Sequence, residues 1–404
     1  FKRKLAGKSR RGGLLGRAVR AALLVAASLA AALLAAVATA WALHPAGGAP
    51  CDNAQALDQV VPGVPHRCGL RELDTPHGGV RVFVWQQPGL WCWSNAAAIA
   101  DAVTGEVTLV DALVEPSRAK IFVDSVARVV PKASFTNLVL THCDFDHWGG
   151  MQVVTGHVKR VYARKECADA IRGFDGKQAA NLARVGGALH RVFSPALSLL
   201  HRFDALRPAV AFVRVASRFA PFAMQDIDAA VQAAFQPTDV VERLPVTIMV
   251  GGERVQVAPA PSATHTTHDL VVHLPVSGVL LAGDLFFSET YPVNWAGRYR
   301  PNAQIQRWLR GFNATTLVSG HGPVATQEAT RQAEAYWRHL SAEHAKCSEA
   351  SGGDDEWISE GTAGERCAAQ IFANRLGARG GAAHNGWADP ERTVLNVLIE
   401  DYLR

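Results

Sequence analysis

The first 51 residues of the chain contain no acidic side chain, and the first acid is Asp52. Residues 1–20 hold eight Lys or Arg, and the formal net charge of +5 originates there. Removing these eight from the 41 basic residues leaves 33 against 36 acidic residues, a net charge of −3. A mildly acidic remainder lacks the basic surface that nucleic-acid-binding proteins use, so we expect no nucleic-acid partner.

A second absence is charge of either sign over residues 21–43, a run of 23 residues rich in Ala, Leu and Val. A run of this length can cross a bilayer, and its basic N-terminal flank keeps that end in the cytoplasm. Residues 1–45 are therefore predicted to be a basic N-terminus with either a membrane anchor or a signal peptide cut near Ala40. We expect the rest of the chain to face the periplasm, anchored at the inner membrane through residues 21–43 or released by cleavage.

Cysteine is sparse, with seven residues. In an oxidising compartment two pairs that are close in sequence would form disulfides, namely Cys51 with Cys68 and Cys347 with Cys367. The alternative is that all six cysteines outside the ligand-rich run described below are free thiols packed as small apolar groups. Cys143 lies inside that run, and we expect it to pack rather than to bind metal.

No Ser-His-Asp elbow and no cysteine nucleophile is visible in the sequence, but one run is dense in metal ligands. Residues 141–150 read Thr-His-Cys-Asp-Phe-Asp-His-Trp-Gly-Gly and include His142, Asp144, Asp146 and His147. The apolar segment before them predicts a buried strand over 135–141, so the ligands follow a strand end, where layered α/β proteins bind ligands. Imidazole and carboxylate groups at this spacing favour a divalent metal ion over a disulfide or a phosphate loop. The alternative is a solvated polar turn.

The rest of the chain alternates between strand and helix patterns. Strands are predicted at 80–85, 91–99, 107–110, 135–141, 246–250, 255–258, 270–274, 279–282 and 316–319, and helices at 116–130, 303–312 and 327–345. Residues 165–240 are rich in Ala, Arg and Phe with helical periodicity and predict a helical insertion. The predicted order is a tether over 46–79, a main domain over 80–346 and a C-terminal helical extension over 347–404.

Three later segments offer further ligands, each at a strand end or in a loop. His265 lies in Thr-His-Thr-Thr-His, Asp284 in Ala-Gly-Asp, and His321 in Ser-Gly-His-Gly. Earlier in the chain, Asn95 lies on a predicted strand and Asp111 precedes the first long helix. Single histidines in loops are usually solvated, but five segments in this order are harder to explain as chance.

The order of these segments resembles the metallo-β-lactamase superfamily, whose signature is T-H-x-H-x-D-H-x-G-G, then G-H-T, G-D and G-H-G. The resemblance covers roughly residues 80–330 and implies a four-layer αββα sandwich with two metal ions at one edge of the sheets. It also implies the ligands of each ion. These are His142, Asp144 and His265 for the first ion, Asp146, His147 and His321 for the second, and Asp284 as a bridge. Asp146 would also orient the attacking water, and His268 would lie beside the site without binding metal.

The chain departs from this pattern at Asp144, where the family usually has His. With three carboxylates and one hydroxide around two divalent ions, the site would be close to neutral, and its water less acidic than beside a His. We expect zinc in the site, although an added oxygen ligand shifts the metal preference toward iron or manganese. The alternative is a neutral replacement in an ordinary zinc site.

The expected function is an exported or membrane-anchored dinuclear metallohydrolase that uses a metal-bound hydroxide on an ester, lactone, thioester or amide-type bond of a small molecule. Two alternatives remain, an iron-dependent oxidoreductase of the same fold and a metal-binding protein without turnover. Trp91, Tyr291 and Asn294 are candidate substrate-contacting residues, because Trp91 flanks a predicted hairpin and the other two follow Asp284.

Overall fold

The computed structural model of the chain describes residues 59–60, 67–76, 78–87, 92–200, 213, 222, 224–296 and 299–350. The chain divides into two units. The larger spans residues 48–177 and 222–404, and the smaller spans residues 1–47 and 178–221. Within the described ranges no helix combines the length and the apolar character needed to span a bilayer. The segment 21–43, for which an anchor or signal peptide is predicted, lies outside those ranges.

The larger unit contains a sheet whose eight strands follow one another in chain order, β1 to β8. These strands are Gln59–Val60, Arg67–Glu72, Val80–Gln86, Ala96–Asp101, Glu106–Val110, Ser134–Val139, Arg160–Ala163 and Asp239–Val240. Neighbouring strands from β1 to β5 are antiparallel, and those from β5 to β8 are parallel. β2 lies within the segment predicted as a tether, so the sheet begins before residue 80.

A second sheet in the same unit has five strands in the order β13-β12-β11-β10-β9. They are β9 Val246–Val250, β10 Glu253–Pro259, β11 Leu270–Leu274, β12 Val279–Leu281 and β13 Thr316–Val318. β9 to β12 form an antiparallel meander, whereas β13 returns parallel to β12. The carboxyl ends of β12 and β13 therefore lie side by side.

Seven α-helices, α1 to α7, are described. They are Pro116–Val129, Phe145–Trp148, Glu166–Gly173, Gly176–Leu200, Ala229–Ala233, Tyr299–Arg310 and Ala329–Ala350. Pro116 begins α1 at a position where its missing N–H costs nothing and its fixed φ suits the helix. The described residues of the predicted insertion 165–240 are mainly helical, with α3, α4 and α5 among them.

The core between the sheets is built from alternate residues of facing strands. Val82 and Val84 of β3 belong to the same buried cluster as Val255 and Val257 of β10. The intervening Phe83 and Trp85 point to the other face of the first sheet, because side chains alternate along a strand. Trp85 packs there against Phe122 of α1, with ring centroids 6.2 Å apart.

The outer face of the second sheet is covered in the same way. Ile305 and Leu309 of α6 are buried with Leu280 of β12 and Leu317 of β13. The layers therefore run helix, sheet, sheet, helix, which confirms the predicted αββα sandwich.

Candidate metal centre

The ligand-rich run begins in the loop after β6, which holds His142 and Asp144, and continues through α2, which holds Asp146 and His147. Asp144 holds the N-cap position of α2, but its side chain makes no capping hydrogen bond and is free to point elsewhere. Gly149 and Gly150 end the motif because the backbone leaves no room for a larger residue. A Cβ on Gly149 would lie 2.0 Å from the carbonyl oxygen of Val114, and one on Gly150 would lie 2.3 Å from that of Ala112. The loop is thus held tightly against the segment after β5.

The other three predicted ligands reach the same edge from the second sheet. His265 lies in the loop between β10 and β11, Asp284 in a 3₁₀ turn directly after β12, and His321 just after β13. The parallel pairing of β12 and β13 places Asp284 and His321 on adjacent strand ends. All seven residues predicted to bind metal converge here.

Asp284 lies at the centre of the group. Its Oδ1 is 3.2 Å from Nε2 of His147, and its Oδ2 is 3.3 Å from Nε2 of His321. The same Oδ2 is 3.4 Å from Nε2 of His265 and 4.0 Å from Nε2 of His142. One carboxylate therefore faces all four imidazoles, which is the position that a bridging ligand occupies.

Two sets of potential ligands form around this carboxylate. In the described part of the chain, ligand atoms of His142, His265 and Asp284 lie within 4.8 Å of one another, and those of Asp146, His147 and His321 do the same. All six residues are buried.

Asp144 completes the first set from the solvent side. Its Oδ2 is 3.0 Å from Nε2 of His265 and 3.8 Å from Nε2 of His142, and its side chain is 30% exposed. The site is therefore open to solvent beside this carboxylate.

The imidazoles are oriented by contacts of their outer nitrogens. Nδ1 of His147 lies 2.9 Å from Oδ2 of Asp111, and Nδ1 of His265 lies 2.5 Å from the carbonyl oxygen of Val293. A ring nitrogen that donates outward leaves Nε2 as a lone-pair ligand facing inward. Nδ1 of His142 has the hydroxyl of its neighbour Thr141 at 3.0 Å.

Without a bound cation the acids and imidazoles strongly shift one another's pKa values. Burial tends to raise the pKa of Asp284, but the imidazoles of His321, His147 and His265 outweigh it and hold that pKa well below its usual range. Burial tends to lower the pKa of His265, and Asp284 and Asp144 reverse this and raise it to about 9.

The same opposing effects of burial and nearby charge give the other three imidazoles different pKa values. Asp284 overcomes burial to raise the pKa of His321 and, with Asp111 and Asp146, raises the pKa of His147 well above its usual value. Burial, together with His147, holds the pKa of His142 far below its ordinary value. Such divergent values are typical of functional sites.

The donor set fits divalent metal ions. Nε2 of His142, Nε2 of His147 and Oδ1 of Asp284 are buried and make no hydrogen bond. A buried polar atom left without a hydrogen bond is costly, and two cations, one beside each histidine and both beside Asp284, would satisfy all three. Four imidazoles and three carboxylates without a thiolate suit zinc, iron or manganese.

The cysteines near the site differ from the prediction. Cys143, expected to pack rather than to bind metal, is buried in the core, and it also forms a disulfide with Cys167 of α3, with the two Cα atoms 5.3 Å apart. The disulfide itself was not predicted, because the pairing depends on how α3 returns to the ligand loop. Cys68 is also disulfide-bonded. Its predicted partner Cys51, the side chain of Cys347, and Cys367 lie outside the described residues.

His268, which we expected to lie beside the site without binding metal, belongs to neither of the two ligand sets. Its Nδ1 is 2.9 Å from the hydroxyl of Thr266, and it approaches the Cys143–Cys167 pair instead. Burial lowers its pKa.

The predicted substrate residues have different surroundings. Trp91 lies outside the described residues. Tyr291 is buried and its ring packs on that of Tyr336 in α7, with centroids 5.6 Å apart. Asn294 is also buried.

The neighbouring Trp295 was not predicted. Its indole Nε1 donates to Oδ2 of Asp144 at 2.9 Å, and the side chain is 43% exposed. The only signal in the sequence was an aromatic residue directly after Asn294.

Comparison with solved structures finds similarity at low sequence identity to proteins that include the following three. The sec-alkylsulfatase Pisa1 from Pseudomonas sp. is 15% identical over 83% of this chain and 50% of its own, with a TM-score of 0.49. A metallo-beta-lactamase family protein from Thermus thermophilus is 17% identical over 83% of this chain and 92% of its own, with a TM-score of 0.46. A metallo-beta-lactamase from Pontibacter korlensis is 14% identical over 67% of this chain and 99% of its own, with a TM-score of 0.41.

No curated protein matches the chain. The sequence model of the metallo-beta-lactamase superfamily does match it, over residues 91–321, which is more than half of its length. That range runs from the region before β4 to His321 and includes all seven converging ligands. The chain therefore belongs to the metallo-beta-lactamase superfamily.

Proposed function

We propose that this protein is a dinuclear metal-dependent hydrolase that cleaves an ester, lactone, thioester or amide-type bond in a small molecule. The observation that carries the proposal is the position of Asp284, whose two oxygens face Nε2 of all four histidines within 4.0 Å. Members of the superfamily are mostly metal-dependent hydrolases, which supports the reaction class without naming the bond.

The residues would divide between two ions. His142, Asp144 and His265 would hold one, Asp146, His147 and His321 the other, and Asp284 would contact both. When bound, such a pair supplies hydroxide near neutral pH and neutralises charge on the attacked group. Asp146 would also orient the attacking water, and its Oδ2 lies 3.3 Å from Nε2 of His321, among the ligands of the second ion.

The chain's own side chains define how substrate approaches. Asp144 is the ligand open to solvent, whereas the four histidines and Asp284 are almost fully buried. A carbonyl group would therefore enter past Asp144, with its apolar remainder toward the exposed indole of Trp295. Burial of the other ligands keeps bulk water out of the far side of the site.

The test is hydrolysis of a panel of esters, lactones, thioesters and β-lactams by protein of known metal content. Asp284→Asn removes the central negative charge with little change in volume, and we expect a loss of about 100-fold or more in kcat/KM together with loss of metal. The matched control is Asp124→Asn. Asp124 is an exposed residue of α1 that pairs with Lys120 at 2.7 Å. Metal-loaded protein that is inactive on every substrate would contradict the proposal.

An iron-dependent oxidoreductase is the second candidate, and Asp144 favours it. A third carboxylate in the donor set raises the preference for iron or manganese over zinc. Elemental analysis of freshly purified protein separates the two. We expect two zinc ions per chain, whereas stoichiometric iron with reversible redox activity would favour the alternative.

Export is part of the proposal and is supported by sequence alone. The uncharged residues 21–43 follow eight basic residues, which orients the remainder toward the periplasm. A phosphatase reporter that is active only in the periplasm should be active when fused after residue 346. A reporter that is active only in the cytoplasm should be inactive at the same place, and its activity there would contradict export. Fractionation then distinguishes an anchored protein from a released one.

A further inference from the structure

One short segment contacts two of the converging ligands at once. The carbonyl oxygen of Val293 lies 2.5 Å from Nδ1 of His265. The backbone N–H of Trp295 donates to the carbonyl oxygen of His265 at 2.7 Å. The indole N–H of Trp295 donates to Oδ2 of Asp144 at 2.9 Å. Residues 293–295 therefore join His265 to Asp144 by side chain and backbone.

The carboxylate of Asp144 is held by this segment rather than by the helix that begins after Asp144. Aspartate at an N-cap normally accepts from the first backbone N–H groups of its helix, but Asp144 makes no such bond to α2. Its carboxylate turns instead toward His265, 3.0 Å away, and toward the indole. With 30% of the side chain exposed, packing alone does not fix its rotamer.

Trp295 is also unusual in its exposure. Large apolar side chains in the described residues are mostly buried, and Trp295 is the one aromatic among those that are strongly exposed, at 43%. The hydrogen bond anchors the edge of the ring beside the metal ligands and leaves ring surface facing solvent. An anchored, exposed indole loses little conformational freedom when an apolar group packs on it.

We propose that Trp295 has two roles. It is a positioning residue that sets the carboxylate of Asp144, and it is a binding surface for an apolar acyl or aryl group of the substrate. The positioning role concerns this chain's own ligands, whereas the substrate role rests on the proposed hydrolase function and narrows it to substrates with an apolar group beside the scissile bond.

Two substitutions separate the roles. Trp295→Phe keeps a flat apolar ring but removes the N–H donor, and Trp295→Ala removes both. Trp308→Phe is the matched control, because Trp308 packs against Phe312 at 4.9 Å in the cluster below the second sheet and has no part in the ligand set.

The positioning role is tested by metal retention, which does not depend on activity. Each protein is loaded with zinc and titrated with a chelator, and the bound metal is counted. We expect Trp295→Phe and Trp295→Ala to release one of two ions at roughly tenfold lower chelator concentration, as loss of a partner of a metal ligand does. The Trp308→Phe control should match the wild type. If Trp295→Phe retains both ions up to the same chelator concentration as the wild type, the positioning role is wrong.

The substrate role is tested by the preference for chain length. We expect wild type and Trp295→Phe to bind octanoate more tightly than acetate in calorimetry and to prefer p-nitrophenyl octanoate to the acetate in kcat/KM. Trp295→Ala should lose at least about tenfold of that preference, chiefly in KM. An unchanged preference in Trp295→Ala would overturn the role. Octanoate binding that depends on Trp295, in metal-loaded protein that hydrolyses no ester, lactone, thioester or β-lactam of the panel, would overturn the proposed function alone.

Discussion

Asp111 accepts a hydrogen bond from Nδ1 of His147 at 2.9 Å, and the same carboxylate holds the backbone N–H and the hydroxyl of Thr141, each at 2.8 Å. The backbone of Asp111 has φ 62°, in the left-handed region that few residues adopt readily. Aspartate and asparagine tolerate this conformation better than most residues. One strained residue therefore fixes both the start of the ligand loop and the direction of an imidazole.

We predict that Asp111→Asn weakens metal binding without unfolding the protein. Asparagine keeps the backbone conformation, but its single oxygen cannot accept from both the Thr141 N–H and His147, as the two oxygens of Asp111 do, and it carries no negative charge. Partners of metal-binding histidines are typically worth about 10- to 100-fold in metal affinity. Chelator competition should show this loss, and Asp124→Asn should not. Wild-type affinity in Asp111→Asn would show that the hydrogen bond to His147 does not orient it as a ligand.

A second prediction concerns Asn95, which secures the loop that carries His321. Its Nδ2 donates to the carbonyl oxygens of Ser319 at 2.9 Å and Gly322 at 2.8 Å. Asn95→Ala removes this donor from both carbonyl oxygens and leaves that of Gly322 with only the longer bond from the Ser319 hydroxyl at 3.4 Å, so we expect a loss of about 2 kcal/mol in unfolding free energy and weaker metal retention. Urea unfolding of protein freed of metal measures the first effect. Asn137→Ala, which removes contacts to Thr108 and Thr136 on the sheet, should leave metal retention unchanged.

Gly320→Ala should damage the centre more than its size suggests. A Cβ at this position would lie 1.8 Å from Oδ1 of Asp284, so the methyl group and the central carboxylate cannot both keep their places. We expect loss of at least one metal ion and of most hydrolytic activity. Gly156→Ala is the control, since nothing lies within 4 Å of its Cβ. Two retained ions in Gly320→Ala would show that Asp284 does not need this position.

Metal binding should release protons. The pKa of His265 is raised from 6.5 to about 9 in the metal-free fold, so this ring is protonated at neutral pH and must lose its proton to become a ligand. In metal-free protein, the stabilisation from this raised pKa is full below pH 6.5 and is lost as the pH rises through about 9. The raised pKa values of His147 and His321 act in the same direction.

Two measurements check this. Zinc added to metal-free protein in weak buffer at about pH 7 should acidify the solution, and the urea midpoint of metal-free protein should fall between pH 6.5 and 9. Metal-loaded protein, in which the imidazoles are no longer protonated, should show a flatter profile. Stability of the metal-free form that rises over this range would contradict the charge arrangement described here.

The disulfide between Cys143 and Cys167 yields a stability prediction. The two residues are 24 positions apart, and closing a loop of this size stabilises a fold by about 3 kcal/mol. The double variant with Cys143→Ser and Cys167→Ser should lose about that amount in urea unfolding. If wild type and variant unfold at the same urea concentration under non-reducing conditions, the bond contributes nothing to the fold.

Most of the fold can be predicted from the sequence, because both sheets are built mainly from strands with a clear apolar pattern. β9 and β11 match their predicted bounds, and the predicted ligands converge because each follows a strand end at the same edge. The missed strands β1, β2, β7 and β8 are short or lie in polar, proline-containing stretches, where tertiary pairing rather than local pattern decides the structure.

Contacts between distant segments explain the other differences. The partner of Cys143 depends on how α3 returns to the ligand loop, and no spacing rule encodes that return. Trp295 contacts Asp144 across 151 positions, and its role depends on the route of the segment after Asp284. Periodicity and motifs identify which residues are chemically suited to a site, whereas long loops decide which of their neighbours support them.

The order of the ligands along the chain sets when the centre can form during synthesis. His147 completes the first cluster, and His321 follows it 174 positions later. At roughly 5 to 20 residues per second, this interval lasts about 9 to 35 s on the ribosome. For the first 137 positions of this interval the nascent chain lacks Asp284, and until its end it lacks His321, so any ion that binds is held by an incomplete set and exchanges readily. A fully loaded centre thus marks a chain translated at least as far as His321.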